Sequence, residues 1–415
     1  MCLTASAGRA GVRSCAALSN GKVFERTVCS VSPEFPQPAQ IADAAPRCVP
    51  GPGGVGGRRA LPLVAVPVRN EAERIAGLIE ALGRQTFLAA ASAPLPLVLV
   101  FNNCTDASAK IAAEAAATQP GIALYPVVVD FPPPCAHVGS ARRLALDVAR
   151  SLSPRSDEAV LLTTDADARP FETWIEANLA AIAAGADAVG GQIVGNAAEE
   201  AMLGEKFLAR ARDHECYAML ADQLTAIIDP IAHDPWPRHR HHTGASLAFR
   251  AQVYDSIGGF AALPTREDLD FVSRLRAAGF RLRHAPEVVV EVSARTVGRA
   301  LGGMADCLRD WVDMANADRP HLVEAPSAVV ERARLRSYLR SGRLEGPAGD
   351  QDLASLLGIA AHEWRARRGD GSFRAFLVER FAPDEPDAPA SVPVAEAIAE
   401  LTAHLAGYED IGHAA

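Results

Sequence analysis

The stretch LVAVPVRNEAERIAGLIEALGRQTF, residues 63–87, opens with six apolar residues, turns polar at Arg69-Asn70-Glu71, and continues with apolar residues at helical spacing. A short apolar run followed by a 3.6-residue period reads as a buried strand leading into an amphipathic helix. The same texture recurs downstream. Strands are expected at 63–68, 97–102, 122–129, 159–164 and 188–194, with helices at 71–82, 107–117, 138–151 and 172–184 between them. Such alternation predicts an α/β fold, built of βαβ units around a parallel sheet that receives its ligands outside the carboxyl ends of the strands.

Outside this core the texture changes. Residues 1–60 are rich in Ala, Gly, Ser and Pro, show no sustained period, and read as a disordered leader. Gly51, Gly53 and Gly56 satisfy G-x-G-x-x-G, but they precede a strand instead of following one, which argues against a dinucleotide site. Beyond residue 195 one long helix is expected over 198–221. A Pro- and His-rich loop follows, then the block TGASLAFR and a helix beginning EDLDF. From about residue 300 the chain reads as wholly helical. The expected division is a leader at 1–60, a catalytic domain at 61–297 and a helical region at 298–415.

Composition bounds the function. About half of the 415 residues are hydrophobic and the formal net charge is -9, which argues against a broad electrostatic grip on nucleic acid. No run of eighteen uncharged apolar residues occurs and the first twenty residues lack a signal-peptide core, so a cytoplasmic location is expected. The eight cysteines form no C-x-x-C pair and are expected to be thiols.

The candidate chemistry lies at the strand ends. Polar clusters follow three of the strands: Arg69-Asn70-Glu71, then Asn102-Asn103-Cys104-Thr105-Asp106, then Asp165-Ala166-Asp167. Asn, Asp and Thr also serve as turn and capping residues, and Asp106 suits either role. Two carboxylates two residues apart can share a hard cation whose other positions go to diphosphate oxygens and water. That ion would neutralise charge on a departing nucleoside diphosphate. Glu267, Asp268 and Asp270 open a helix, where acids favour the dipole and where one could also accept a proton from an attacking hydroxyl. In HDPWPRHRHHTG, residues 233–244, His242 beside Thr243-Gly244 is a candidate contact to metal or phosphate.

Five segments together resemble family 2 glycosyltransferases, in order, over residues 61–295. They are LVAVPVRNEAERIAGLIEALGRQTF, FNNCTDASAKIA, VGSARRLALDVA, LLTTDADARPFETWI, and the acceptor-side block TGASLAFRAQVYDSIGGF with REDLDFVSRLRAAGFRLRHAP. The resemblance implies a GT-A type fold with a mixed sheet, a nucleotide-sugar donor, Mg or Mn as cofactor, and a direct inverting displacement. It puts Pro67, Asn70 and Glu71 by the nucleotide base, Asn103 by base or ribose, and Arg142 or Arg143 near the phosphates. Asp165 and Asp167 fall at ribose and metal, Asp268 is the base, and Glu267 assists acceptor binding.

Two departures qualify this pattern. Asn102-Asn103 replaces the usual acidic pair, and the Gln-x-x-Arg-Trp segment of processive polysaccharide synthases is missing. The expectation is a single-transfer enzyme in glycan or glycoconjugate synthesis, acting on a saccharide, lipid or small-molecule acceptor, with a peripheral membrane contact open to the helical region. The alternative is a catalytically silent nucleotide-sugar-binding or scaffolding protein of the same fold. A sugar-nucleotide pyrophosphorylase would want a Gly-rich loop after the first strand, where this chain has Arg69-Asn70-Glu71.

Overall fold

The computed structural model describes residues 60–153, 158–299, 303–341, 354–355, 357–380 and 391–413. The expected leader and the Gly51/Gly53/Gly56 run lie outside them. Strands β1 (Leu61–Val68), β2 (Leu95–Asn102), β3 (Ile122–Val129) and β4 (Ala159–Thr163) run parallel in the order β3-β2-β1-β4. Beyond β4 the sheet continues through β7 (Leu247–Arg250), β6 (Ala188–Gly195), β8 (Leu282–Val292) and β5 (Arg169–Pro170). There β7 is antiparallel to both neighbours and β6 is parallel to β8. The eight-stranded sheet is therefore mixed, as the resemblance implies, and not parallel throughout, as strand–helix alternation alone would have it.

β1 and β2 are buried along almost their whole length because both faces of the sheet are covered, which is why they read as unbroken apolar runs. Side chains alternate between the faces. Leu63 and Ala65 join one core with Val98, Val100 and helix α3 (Val138–Ser151). Val64, Val66 and Val68 join the other with helices α1 (Ile75–Gly83) and α4 (Trp174–Ala183). Helix α2 (Ser108–Ala117) packs beside α1. Gln85 ties α1 to the start of α4, donating to the Phe171 carbonyl at 2.8 Å and accepting from Ile175 N at 2.9 Å.

Several boundaries differ from expectation. α1 starts four residues late because 71–74 form a turn in which Glu71 O accepts from Arg74 N and Ile75 N. The single long helix expected over 198–221 is two, α5 (Ala197–Ala201) and α6 (Glu205–Ile228), broken at Gly204 with φ +93°. Strand β8 was not expected, since Arg283, His284, Glu287 and Glu291 interrupt its apolar pattern.

Helix α7 (Ala251–Ser256) follows β7, and α8 (Glu267–Ala277) carries the acidic trio at its start. The remaining helices are α9 (Met304–Asn316), α10 (Pro326–Ser341), α11 (Ala361–Arg367), α12 (Gly371–Arg380) and α13 (Val394–His413). This region is not wholly helical. β9 (Leu322–Val323) and β10 (Val392–Pro393) form a small antiparallel pair. α6 packs against α9, α10 and α13, while α12 packs on both α10 and α8. Cys104, Cys216 and Cys307 are thiols, whereas Cys135 departs from the expectation in being disulfide-bonded.

α8 is held in place by an aromatic cluster. Phe271 is fully buried, with ring centroids 4.3 Å from Phe260 and 4.7 Å from Phe249 of β7. Phe271→Ala removes that anchor and should lower the unfolding free energy by about 3–5 kcal/mol, measured by urea denaturation. A loss below about 1 kcal/mol would show that α8 is fixed by other contacts.

Candidate functional site

The carboxyl ends of β1, β2 and β4 open into a cleft of about 720 Å³. Pro67, Glu71, Asn102, Arg142, Asp165, Asp167, Glu267 and Asp268 all line it, so residues separated by up to two hundred positions in sequence come together. The acids are balanced by arginines, since Arg69, Arg142, Arg266, Arg295 and Arg299 also line the cleft.

Arg142 is the junction of the site. Almost wholly buried on α3, it donates to Asp165 Oδ1 (2.7 Å), Thr163 Oγ1 (2.9 Å), the Gly244 carbonyl (3.0 Å) and Glu267 Oε1 (3.0 Å). One guanidinium thus joins the end of β4, the turn before β7 and the start of α8. Gly244 is required by that approach, because a Cβ there would lie 2.4 Å from Arg142 Nη2. The adjoining acids hold the Arg142 guanidinium charged despite its burial, and burial pushes the Glu267 carboxyl up against the opposing pull of Arg142.

A second arginine serves the opposite wall. Arg295 grips Glu71 in a bidentate pair, Nη2 to Oε1 at 2.6 Å and Nη1 to Oε2 at 2.8 Å, and Nη2 stands 3.0 Å from Asp167 Oδ2. Burial pushes the Asp167 carboxyl up to about 6; Arg295 opposes the shift, while Asp165 and Glu71 add to it. Among the described residues no group of three or more His, Cys, Asp or Glu side chains is arranged to hold a metal ion. The Asp165/Asp167 pair nonetheless offers hard oxygen donors on the cleft wall, and a divalent cation there would stabilise the charged form that burial and the neighbouring acids disfavour at Asp167. Its other ligands would have to come from a bound substrate or water.

The asparagines divide their roles differently from expectation. Asn70 and Asn103 adopt left-handed backbone, with φ 53° and 48°, which Asn tolerates better than most residues. Asn70 Oδ1 accepts from Thr105 N at 2.8 Å, while both polar atoms of the Asn103 amide are taken by the Phe131 backbone. Neither lines the cleft. Asn102 does, and although its Nδ2 donates to the His137 carbonyl at 3.2 Å, its buried Oδ1 has no partner among the described residues. Asp106 resolves towards structure, accepting from Ser108 N and Oγ and from Ala72 N.

Asp268 is oriented by two backbone donors, Gly244 N to Oδ2 at 2.7 Å and Leu269 N to Oδ1 at 2.8 Å. It follows Arg266, which enters α8 with φ 58°. Two expected contacts lie elsewhere. Arg143, one turn position from Arg142, faces Asp147 at 3.6 Å and is absent from the cleft lining. His242 is not brought to Asp165 and Asp167. It is buried with Nδ1 3.0 Å from His284 Nε2, whose own ring meets Asp234 at 2.8 Å. A turn closes over 243–246, where Ser246 N donates to the Thr243 carbonyl, and His242 and Gly244 line different cavities. Sequence reasoning missed Arg295 and Arg299. Their signal was faint, a pair of basic residues four apart just beyond a strand that was itself unrecognised.

The raised Asp167 carboxyl carries a cost in stability. Because the folded protein binds this proton more tightly than the unfolded chain, its favourable contribution is complete below the ordinary carboxylate range and is lost as pH rises through about 6. Asp167→Asn, which mimics the protonated form, should therefore be more stable than the parent at pH 7.5 by about 1–3 kcal/mol. The difference should shrink as pH falls towards 4. Equal denaturation midpoints at both pH values would mean that Asp167 is not destabilised by its surroundings.

No curated protein matches the chain. Among solved structures it is similar to mannosyltransferase PcManGT from Pyrobaculum calidifontis, in complex with GDP-Man and Mn2+, at 18% identity, TM-score 0.37, covering 82% of this chain and 90% of that one. It is also similar to S. aureus TarS 1–349 in complex with UDP, at 12% identity, TM-score 0.40 and coverage of 77% and 90%. A third is glucosyl-3-phosphoglycerate synthase from Mycobacterium tuberculosis with phosphoglyceric acid, at 13% identity, TM-score 0.35 and coverage of 62% and 78%. Residues 63–229, which carry β1 to β6 and the Asp165/Asp167 pair, match the family model of glycosyl transferase family 2, and the fold is α/β of the GT-A type.

Proposed function

We propose that the protein transfers a sugar from a nucleotide-diphosphate donor to an acceptor hydroxyl, by single transfer with inversion at the anomeric carbon. The observation that carries this reading is the meeting, in one cleft, of Asp165 and Asp167 from the end of β4 with Asp268 from the start of α8. A carboxylate on the cleft wall held by two backbone donors suits the general base of a transferase, a role that a binding module does not need.

In this reading Pro67 and Asn102 flank the nucleotide, with the unpartnered Asn102 Oδ1 accepting from the base, and the cleft arginines face the diphosphate. Asp165 and Asp167 would hold Mg2+ or Mn2+, which when bound supplies positive charge against the leaving nucleoside diphosphate. Asp268 takes the proton from the acceptor hydroxyl as that oxygen bonds to the anomeric carbon and the bond to the diphosphate breaks. Glu267 and Arg142 keep Asp268 and Asp165 in register across the cleft. The acceptor is a saccharide, lipid or small molecule, and the region beyond 298 borders the acceptor side. A cytoplasmic location fits this reading, and among the described residues no helix is long and apolar enough to cross a membrane.

Calorimetric titration with UDP-, GDP- and dTDP-sugars, each with Mn2+ and with EDTA, tests the donor half. Saturable binding of one donor that weakens in EDTA is expected, and Asp167→Ala should abolish the metal dependence. Failure of folded protein to bind any donor would favour a catalytically silent scaffold. For the chemical step, Asp268→Asn should keep donor affinity while losing about 100-fold or more in transfer rate. Normal turnover by that variant would move the base to another residue.

A further inference from the structure

The arginine that grips Glu71 and Asp167 is itself held from behind. Glu199, on the short helix α5, accepts from Arg74 Nη1 at 2.6 Å through Oε1, and from Ser293 Oγ at 2.9 Å and Ala294 N at 2.8 Å through Oε2. The Ser293 hydroxyl has one proton to give, and with that proton on Glu199 its oxygen accepts from Arg295 N at 3.2 Å. Arg295 then closes on the Glu71 carboxylate, while the backbone carbonyl of Glu71 accepts from Arg74 N at 3.0 Å. The bonds form a ring, from Glu71 through Arg74, Glu199, Ser293 and Arg295 back to Glu71. It ties together the turn after β1, helix α5 and the turn after β8, with Arg295 and Glu71 224 positions apart in sequence.

Glu199 reaches this turn from a fixed base. Asn196 caps α5, its Oδ1 accepting from Glu199 N at 3.0 Å, and Asn196 is fastened to the end of β8, N to the Val292 carbonyl at 2.9 Å and Nδ2 to Glu291 Oε1 at 2.8 Å. Glu199 itself does not line the cleft, so its influence there passes through the ring. The two groups it accepts from in the 293–295 turn are buried, Ser293 being 7% and Ala294 3% exposed. Without the carboxylate they lose this acceptor where water reaches poorly, and the turn loses its register.

We propose that Glu199 is a positioning residue for the wall that bears Glu71 and Asp167. By fixing residues 293–295 it holds one guanidinium nitrogen of Arg295 between Glu71 Oε1 and Asp167 Oδ2, at 2.6 and 3.0 Å, and so sets how readily a divalent cation takes Asp167. A cation arriving at Asp167 meets the guanidinium already there, and like charges at such a separation repel. The more firmly the turn is held, the harder Arg295 is to displace. Loosening the turn therefore favours the metal. This consequence for metal binding rests on the sugar-transfer reading; the ring of bonds does not.

The test uses the full chain and Mn2+ alone, titrated by calorimetry, and the binding scored is the part that Asp167→Ala abolishes. Arg295→Met should tighten it about fivefold and Glu199→Ala about twofold or more, with the double variant no tighter than Arg295→Met alone. Ser293→Ala, which cuts the ring at its next link, should reproduce Glu199→Ala. Glu199→Gln guards against misfolding: it keeps a carbonyl oxygen for Ser293 and Ala294 and should stay within about twofold of the parent. Unchanged Mn2+ affinity in Glu199→Ala beside a shift in Arg295→Met would overturn the proposal, as would effects that multiply in the double variant. If the parent binds no Mn2+ at Asp167, the metal half of the sugar-transfer reading fails, and urea denaturation of the same cycle decides the positioning claim. A loss in the double variant smaller than the sum of the single losses upholds it, and simple additivity overturns it.

Discussion

The buried guanidinium of Arg142 is the constraint on which the site depends. Four acceptors from three separate parts of the chain converge on it, and two of them are carboxylates. Taking such a charge out of water is tolerable only when every donor finds an acceptor, so the arrangement works as a unit: moving Glu267, Asp165 or Gly244 strands the others. Rigidity at the cleft therefore arises from a charge that cannot be left unbalanced, more than from apolar packing around it.

Arg295 shows the complementary strategy. It neutralises Glu71 and part of Asp167, yet burial, with Asp165 and Glu71 adding to it, keeps Asp167 raised. Clustering like charges lowers the stability of the fold, and binding sites are where such a deficit finds a use, because an incoming cation or cationic group relieves it.

Much of this architecture was legible in the sequence, and the exceptions have physical causes. The strands β1 to β4 are apolar on both faces, so their runs stood out with boundaries close to the observed ones. β8 was hidden because its polar residues are paired in three dimensions, His284 with Asp234 and Glu291 with Asn196, pairings no local pattern reveals. At the site, acids announced themselves at strand and helix ends, where carboxylates are conspicuous. The arginines that oppose them did not, because basic residues three and seven positions after an unrecognised strand look like ordinary surface. Asn102 and Asn103 were visible as a pair, but only the left-handed turn at Asn103 decides which of them faces the cleft.

Gly244 has a consequence for how this chain can vary. A methyl group there would collide with Arg142, so the two positions are not independent: a larger residue at 244 demands a shorter one at 142, which in turn strands Glu267 and Asp165. Substitutions at 142 and 244 are accordingly expected to be non-additive, the effect of one depending on the residue at the other.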